Sequence, residues 1–578
     1  MSSQSSPLFF TAIRDSLREG ITKRTVLRDI LAGIVVGIIT LPLSVSQAVA
    51  MGLPPQYGLY TSIVGGAVAA IFGGCRFQIG GTAAAFVILL APVVAEFGPS
   101  GILVASLGAG VFLILFAFLR FGRFISFIPY PVIAGFTMGL GISIMMHQTA
   151  NFLGLKLIPQ PDYLESFYQC TIKITALEPT DTSVGALTLI LLFCIPRIRH
   201  WFPKSLVVLP IVTGASILIG HFYSSWQPIT IGSHFKSTIN GAVVYGLPQD
   251  LPQFILPWMS GIGTSQLDWS FSTVHTLIKT SISIALLVAI ETLITAVIAD
   301  RTTQTRHNSN GELLGFGVAN LITPFFGGFC TSGAIVRTAP NIRAGGRTPL
   351  ASLSHCVFLL LVMMTLAPII NFLPMASLAG LLIWVGWNMC DFQASIQFIR
   401  GAQRGDRALL ILCCALTVAF NMVVAIAAGV LLASVFFMQR MSSVSTVDFV
   451  SSDEVDEKNK LPRGIERFCI HGPLFFGSAQ RSLEVIQPWK DGLAAVIDLA
   501  DVPFIDSTGI LRLREAVDRL HIGDLSVALA AVQPDTKIAL DNSQFFELHP
   551  FLRIFQTSAE AIDFFKHEKS THPVGPQA

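Results

Sequence analysis

Apolar runs of about 20 residues, the length that crosses a bilayer, recur from about Asp29 to Met438 with polar loops between them. After Arg440 the pattern changes. Residues 441–460 are polar and read as a linker. Beyond them Arg467–Ile470, Ala494–Leu499 and Leu525–Ala530 alternate as strands, and Ile510–Leu520 and Ser558–Phe565 follow a helical period. The pattern predicts a polytopic α-helical membrane block and a small α/β domain of about 110 residues. Expected boundaries are 1–28 for an N-terminal segment, 29–440 for the membrane block, 441–463 for the linker, 464–568 for the α/β domain and 569–578 for a tail.

Within the block, the long loop 223–276 separates two halves, about 29–222 and 277–440, with similar loop patterns. Each half holds one short apolar segment introduced by glycines: Ile79–Phe86 (IGGTAAAF) and, after Gly327-Gly328, Phe329–Arg337 (FCTSGAIVR). Paired interrupted segments point to inverted repeats whose half-helices end at the bilayer midplane. Seven crossings per half, about fourteen in all on the 20-residue rule relaxed for interrupted helices, would insert the second half upside down. Exposed N–H groups and the positive dipole end make facing half-helix N-termini a binding place for an anion. The alternative is that these glycines only allow close helix packing.

Composition fits this picture: 52% of residues are hydrophobic and 12% charged, against roughly 25% charged in a soluble domain. A net charge of +2 argues for no nucleic-acid partner. Nine cysteines without a C-x-x-C pair, most inside apolar runs, argue against a metal cluster or disulfide framework. No metal spacing, nucleophile elbow or phosphate loop marks an enzyme, a cofactor site or an ATP-driven pump. The N-terminal stretch TAIRDSLREGITKRTVLRD reads as a cytoplasmic amphipathic lead-in without a cleavable signal. With the N-terminus inside, alternate loops carry Arg76; Arg120 and Arg123; Arg197, Arg199 and Lys204; Arg301 and Arg306; Arg343 and Arg347; and Arg400, Arg404 and Arg407. Loops 151–181 and 223–276 lack Arg. The bias places both ends of the block in the cytoplasm of a cell (inner) membrane protein.

Glu291 lies near the middle of the otherwise uncharged run Ser281–Ala299. A carboxylate at a helix centre costs at least about 2.5–3.5 kcal/mol, so it faces a cavity or a partner. Thr295 follows it by four residues on the same helix face. A buried carboxylate beside a hydroxyl can hold a proton or help coordinate a small cation; alternatively it belongs to a structural ion pair. Arg337, in the second interrupted segment, is the natural partner, or else a snorkelling interfacial residue. The expected substrate contacts are the backbone at Gly81, Thr82, Ala83, Ser332, Gly333 and Ala334 and the hydroxyls of Thr82 and Ser332. Gln47 either lines the same cavity or bonds a neighbouring helix, and Phe86 and Phe329 wall the site or simply pack.

The stretch LAGIVVGIITLPLSVSQAVAMGLPPQYGLYTS, with Gly135-Phe136-Thr137, Asn310–Gly315 (NGELLG) and Pro324–Gly328 (PFFGG), resembles the SulP family of sulfate permeases, bacterial relatives of the solute carrier 26 anion transporters. Phe121–Phe124 (FGRF) and the IETLITAVIAD element around Glu291 look most like its C4-dicarboxylate transporter subgroup. The resemblance implies seven plus seven inverted repeats split into core and gate domains, a homodimer, and a C-terminal STAS domain with Ile505–Gly509 (IDSTG) at a strand-to-helix turn. It also implies a secondary active anion transporter in which Arg337 faces the anion and Glu291, rather than an Asp, couples to protons in preference to sodium. C4-dicarboxylate uptake is the reading it favours, with sulfate or bicarbonate transport, or an exchanger or channel, as alternatives. Asp506, Ser507 and Thr508 occupy the position where related domains are phosphorylated, a possible switch for a cytoplasmic partner, and equally serve as a helix N-cap. The chain departs from the family pattern in Gly80-Gly81-Thr82, where relatives carry Gly-Pro-Thr, and at Phe316 and Asn421.

Overall fold

The computed structural model describes residues 10–123, 129–155, 163–195, 204–223, 226–239, 242–258, 267–420, 422–450, 461–489 and 492–571. Asn421, Arg197, Arg199, residues 451–460 of the expected linker and the last seven residues of the tail lie outside the described residues. The chain divides into two compact units, Met1–Val430 and Leu431–Ala578.

The first unit is helical. Its elements are α1 (Thr11–Glu19), α2 (Lys23–Ala50), α3 (Pro55–Tyr60), α4 (Gly66–Phe72), β1 (Gly80–Gly81), α5 (Ala85–Phe118), α6 (Tyr130–Phe152), α7 (Tyr163–Ile172), α8 (Pro179–Cys194) and α9 (Lys204–Phe222). After the connecting α10 (Ile231–His234) and the hairpin β2 (Lys236–Ile239) and β3 (Ala242–Tyr245) come α11 (Phe271–Thr303), α12 (Ser309–Ile322), β4 (Ser332–Gly333), α13 (Ile335–Ala344), α14 (Leu350–Ile370), α15 (Met375–Cys390), α16 (Phe392–Gly401) and α17 (Arg404–Ala419), followed by α18 (Met422–Val444), within which the division between the units falls. Among the described residues, seven helices are long and apolar enough to cross a membrane. Two breaks fall in the first half: a π-turn at Thr61–Gly65 joins α3 to α4, and α5 kinks at Gly98 (φ 66°).

Two helices start before their expected boundaries because a hydroxyl caps them. Thr25 N–H donates to Thr22 Oγ1 (3.2 Å) ahead of α2, and Thr273 N–H donates to Ser270 Oγ (3.3 Å) ahead of α11. Packing sorts the helices into two groups. In one, α2 lies on α14, and α5 on α11 and α12, with α3, α4 and α13 between them. In the other, α6 lies on α15 and α17, and α8 on α9 and α15. Each group takes helices from both halves of the chain.

Buried carboxylates tie the first group's turns. Asp29 accepts from Arg347 N–H (2.7 Å) and Thr348 Oγ1 (2.5 Å). Glu312 accepts from the N–H groups of Gly74 (2.5 Å) and Cys75 (2.7 Å). Both spend an otherwise costly buried charge on backbone donors that the turns leave open.

The second unit holds a five-stranded sheet in the order β5 (Thr446–Val450), β6 (Ile465–His471), β7 (Ala494–Asp501), β8 (Ser526–Ala530), β9 (Arg553–Phe555). β5 is antiparallel to β6 and the remaining pairs are parallel. Here the expected linker is corrected: its first residues finish α18 and form β5, a largely exposed edge strand paired antiparallel with β6. A five-residue edge strand set in polar sequence gives a weak signal. Helices α19 (Ala479–Leu483), α20 (Ser507–Ile522), α21 (Pro534–Asn542), α22 (Phe545–Leu548) and α23 (Ser558–Thr571) complete the domain. Phe468, Ile497, Leu513, Leu529 and Phe545 are central to its largest core.

Asp498 on β7 is the most heavily bonded carboxylate of this domain. Burial alone would raise its pKa, but Ser558 Oγ, Ala500 N–H (2.9 Å) and Arg467 Nη2 (2.5 Å) all donate to it and together hold it below the usual Asp value. A depressed folded pKa adds stability above the unfolded value, near 3.9, and loses it as pH falls through the folded one. Asp498→Asn is therefore expected to cost about 1–3 kcal/mol at pH 7 and progressively less below pH 4. Thermal unfolding of both proteins across that range checks it; an undiminished difference at pH 3 would contradict the assignment.

Candidate functional site

An extended backbone inside a membrane protein must have its polar groups satisfied locally, because lipid offers no partner. The segment 329–333 is stapled by side chains to this end. Phe329 N–H donates to Thr61 Oγ1 (2.8 Å), and Thr331 exchanges hydrogen bonds with the Asn320 amide (2.9 Å each). Gly333 N–H donates to Thr292 Oγ1 (3.1 Å), and Gly333 O accepts from Thr295 Oγ1 (3.3 Å). Opposite it, Thr338 Oγ1 accepts from Ile79 N–H (3.4 Å) and Asn341 Nδ2 donates to Phe77 O (2.8 Å).

Held this way, the two interrupted segments meet as a two-residue antiparallel ribbon, Gly80 opposite Gly333 and Gly81 opposite Ser332. Gly81 has φ 152°, and a Cβ on it would overlap Arg337 Nη1; one on Gly333 would overlap Gln78 Nε2. From opposite ends of the ribbon leave α5, whose first turn closes with Phe86 N–H on Ala83 O (3.1 Å), and α13, with Arg337 N–H on Ala334 O (3.1 Å). The first N–H groups of each helix have no intrahelical acceptor.

Both N-termini face a cavity of about 1110 Å³, lined there by Thr82, Ala83, Ala84, Ala85, Gly333, Ala334, Ile335 and Val336. The cavity runs along α11 past Glu291, Thr295 and Ile298 to Arg301, and along α13 past Arg337 to Arg343. Gln47 on α2 lines it from the same group, and Phe136, Leu140, Trp384 and Val385 on α6 and α15 face these helices across it, so each packing group supplies one wall.

Glu291 accepts from Ser332 Oγ (2.8 Å), which fastens the carboxylate to the ribbon. Arg337 is 3% exposed; its Nη1 is buried without a hydrogen-bond partner, and among the described residues it forms no ion pair. Glu291 and Arg337 both line the cavity. Behind the ribbon Thr82 Oγ1 donates to Ser44 Oγ (3.2 Å), which in turn shares a proton with Ser62 Oγ (2.8 Å). Gln47 leaves Oε1 buried and unpartnered. Chemically, the arrangement offers convergent N–H groups, a free guanidinium and hydroxyls to one anion, with a carboxylate one hydrogen bond away.

A family model described as the sulfate permease family matches residues 26–415, and one for the STAS domain matches 462–561. The chain belongs to the sulfate permease family. These are membrane transporters of anions and not enzymes. A putative sulfate transporter of Bacillus subtilis (strain 168) is 33% identical over 506 residues, covering 86% of this chain and 90% of its own length. The bicarbonate transporter BicA of a Picosynechococcus strain is 28% identical over 549 residues, 91% of this chain and 92% of its own. The structure of the murine solute carrier 26 family member A9 anion transporter in the inward-facing state superposes with a TM-score of 0.81 at 17% identity, covering 98% of this chain and 96% of that one. That likeness shows the shared fold.

Within this chain, Gln47, Thr82, Ala83, Glu291, Thr295, Gly333, Ala334 and Arg337 come together on the cavity, and Gly81 and Ser332 pair beneath it. Phe86 and Phe329 stand apart: both are fully buried in the main core and outside the cavity lining. Their rings fill space behind the half-helices, where a membrane-protein phenylalanine commonly packs. Sequence reasoning passed over Ser44, Thr61, Ser62, Gln78, Thr292 and Asn320. Their one signal was polarity within apolar runs, which they share with many structurally neutral Ser and Thr residues.

In the second unit Asp506 caps α20, accepting from Gly509 N–H (2.7 Å), and it also accepts from Phe476 N–H (3.0 Å). Ser507 is exposed on the first turn and Thr508 is partly buried.

Proposed function

We propose that this protein is a secondary active transporter of a compact oxyanion of the sulfate or bicarbonate class, moving it with a proton carried by Glu291. The observation that carries the reading is the unpaired Arg337 guanidinium beside two converging half-helix N-termini. Backbone N–H groups and dipole ends favour an anion there, and a guanidinium matches an oxyanion's geometry. Relatives described as putative sulfate and bicarbonate transporters support the cargo class.

A C4-dicarboxylate rests on the subgroup resemblance alone. Its second carboxylate would need another cation, and the next on α13, Arg343, lies about 9 Å further along the helix at 1.5 Å per residue. Positive-inside charge bias puts the Arg301 and Arg343 end of the cavity in the cytoplasm, with both chain termini, so the conformation is inward-open. Closing that end by moving the group that carries the ribbon against the other would expose the site to the far side. The homodimer and a cytoplasmic partner of the STAS domain belong to the same proposal.

Proteoliposome uptake of radiolabelled sulfate under an imposed inward proton gradient tests this, with unlabelled bicarbonate, succinate and fumarate as competitors. Gradient-driven accumulation, with competition by inorganic oxyanions at least tenfold better than by the diacids, is expected. Succinate uptake exceeding sulfate and bicarbonate uptake would overturn the compact-anion reading.

A further inference from the structure

α1 and the start of α2 carry charge and apolar surface that the fold itself does not use. One face of α1 is docked: Ala12 N–H and Thr11 Oγ1 both donate to Gly73 O (3.3 and 3.4 Å), Ser16 is buried, and the Phe10 ring lies 4.8 Å from that of Phe72. Glu19 is committed to Arg76, accepting from its Nη2 at 2.7 Å, and Asp29 to the turn before α14. Arg18, Lys23, Arg24 and Arg28 form no ion pair among the described residues. Between them Leu17 (62% exposed), Leu27 (59%) and Leu31 (54%) face outward.

The length of α2 sets the depth of this surface. Its 28 residues span about 42 Å at 1.5 Å each, against a hydrocarbon core of about 30 Å. The surplus, roughly eight residues, matches the polar stretch Lys23–Ile30, which then stands among headgroups. α1 ends at Glu19, joined to α2 by Gly20–Thr22, and so lies at the same level. Leucines interleaved with unpaired arginines at that depth match an acyl boundary carrying negative phosphates.

We propose that α1 and the first two turns of α2 form a binding surface for anionic phospholipid, which clamps the adjoining turn 72–76 to one leaflet. That turn leads directly into β1, so the clamp acts on the group of helices that carries the ribbon. The proposal does not depend on which anion is transported.

The test is lipid retention by the purified full-length protein, measured by native mass spectrometry after exchange into equimolar phosphatidylglycerol and phosphatidylcholine. Wild type is expected to retain phosphatidylglycerol selectively, with the selectivity falling as salt is raised. R18Q/R24Q, which keeps Lys23 and Arg28 as topology signals and leaves the half-buried Arg14 in place, should lower it roughly tenfold, since each basic residue near an anionic surface adds several-fold. R18K/R24K should restore it. Equal retention by wild type and R18Q/R24Q, or a wild-type selectivity insensitive to salt, would overturn the proposal. The salt titration needs only wild type, so it decides the matter even if the variant does not fold.

Discussion

Arg337→Gln is expected to reduce transport roughly 100-fold while leaving the empty protein at least as heat-stable as wild type. The guanidinium is buried with Nη1 unpartnered and without an ion pair among the described residues, so in the empty state it is a desolvated charge that the fold tolerates at a cost. Gln removes that cost and keeps much of the volume. An anion at the half-helix termini, by contrast, loses its one adjacent cation; a charge-assisted contact of about 3 kcal/mol corresponds to roughly two decades of affinity. Substrate binding by calorimetry and thermal unfolding of the same preparation separate the two effects. Loss of transport with a fall of several degrees in the unfolding midpoint would instead assign Arg337 to the fold.

Glu291→Gln is expected to abolish proton-driven accumulation while retaining downhill anion exchange. Gln mimics the protonated carboxyl in shape and can still meet Ser332 Oγ, which lies 2.8 Å from the carboxylate in the wild type, so the ribbon remains held. What disappears is the ability to change charge during the cycle. If the proton rides on Glu291, a pH gradient no longer biases direction, and counterflow of labelled against unlabelled anion continues within a few-fold of the wild-type rate. Gradient-driven uptake at wild-type rates would remove Glu291 from the coupling role. Loss of counterflow together with uptake would mean that the carboxylate positions Ser332 and not that it carries the proton.

Periodicity and breaks in periodicity made much of this site legible. Glu291, Thr295 and Arg337 stood out because charge and hydroxyls in apolar runs are expensive, and Gly80-Gly81 and Ser332-Gly333 because they interrupt spans that otherwise propagate. Registration across the molecule was not legible. Nothing local says that Gly81 faces Ser332, or that Thr61 and Thr292 supply the partners that an extended backbone lacks, since those pairings join positions far apart in the chain. The edge strand β5 was hidden for a related reason: it is five residues long amid polar sequence, and its pairing with β6 is decided by the sheet. Phe86 and Phe329 show the converse, residues next to the site in sequence whose side chains turn into the core.

The ribbon between Gly80–Gly81 and Ser332–Gly333 also constrains how the chain is made. Its two strands come from opposite halves, so the first is threaded into the bilayer roughly 250 residues before its partner exists. At about 5–20 residues per second that interval lasts roughly 10–50 seconds, during which the glycine backbone at the future site has no strand to pair with. A nascent first half is thus an unfinished product, with open amide groups at the depth where lipid satisfies none of them. Insertion factors or neighbouring helices must shelter that segment until the second half arrives, which makes biogenesis, as much as transport, a stage at which substitutions near Gly81 would do harm.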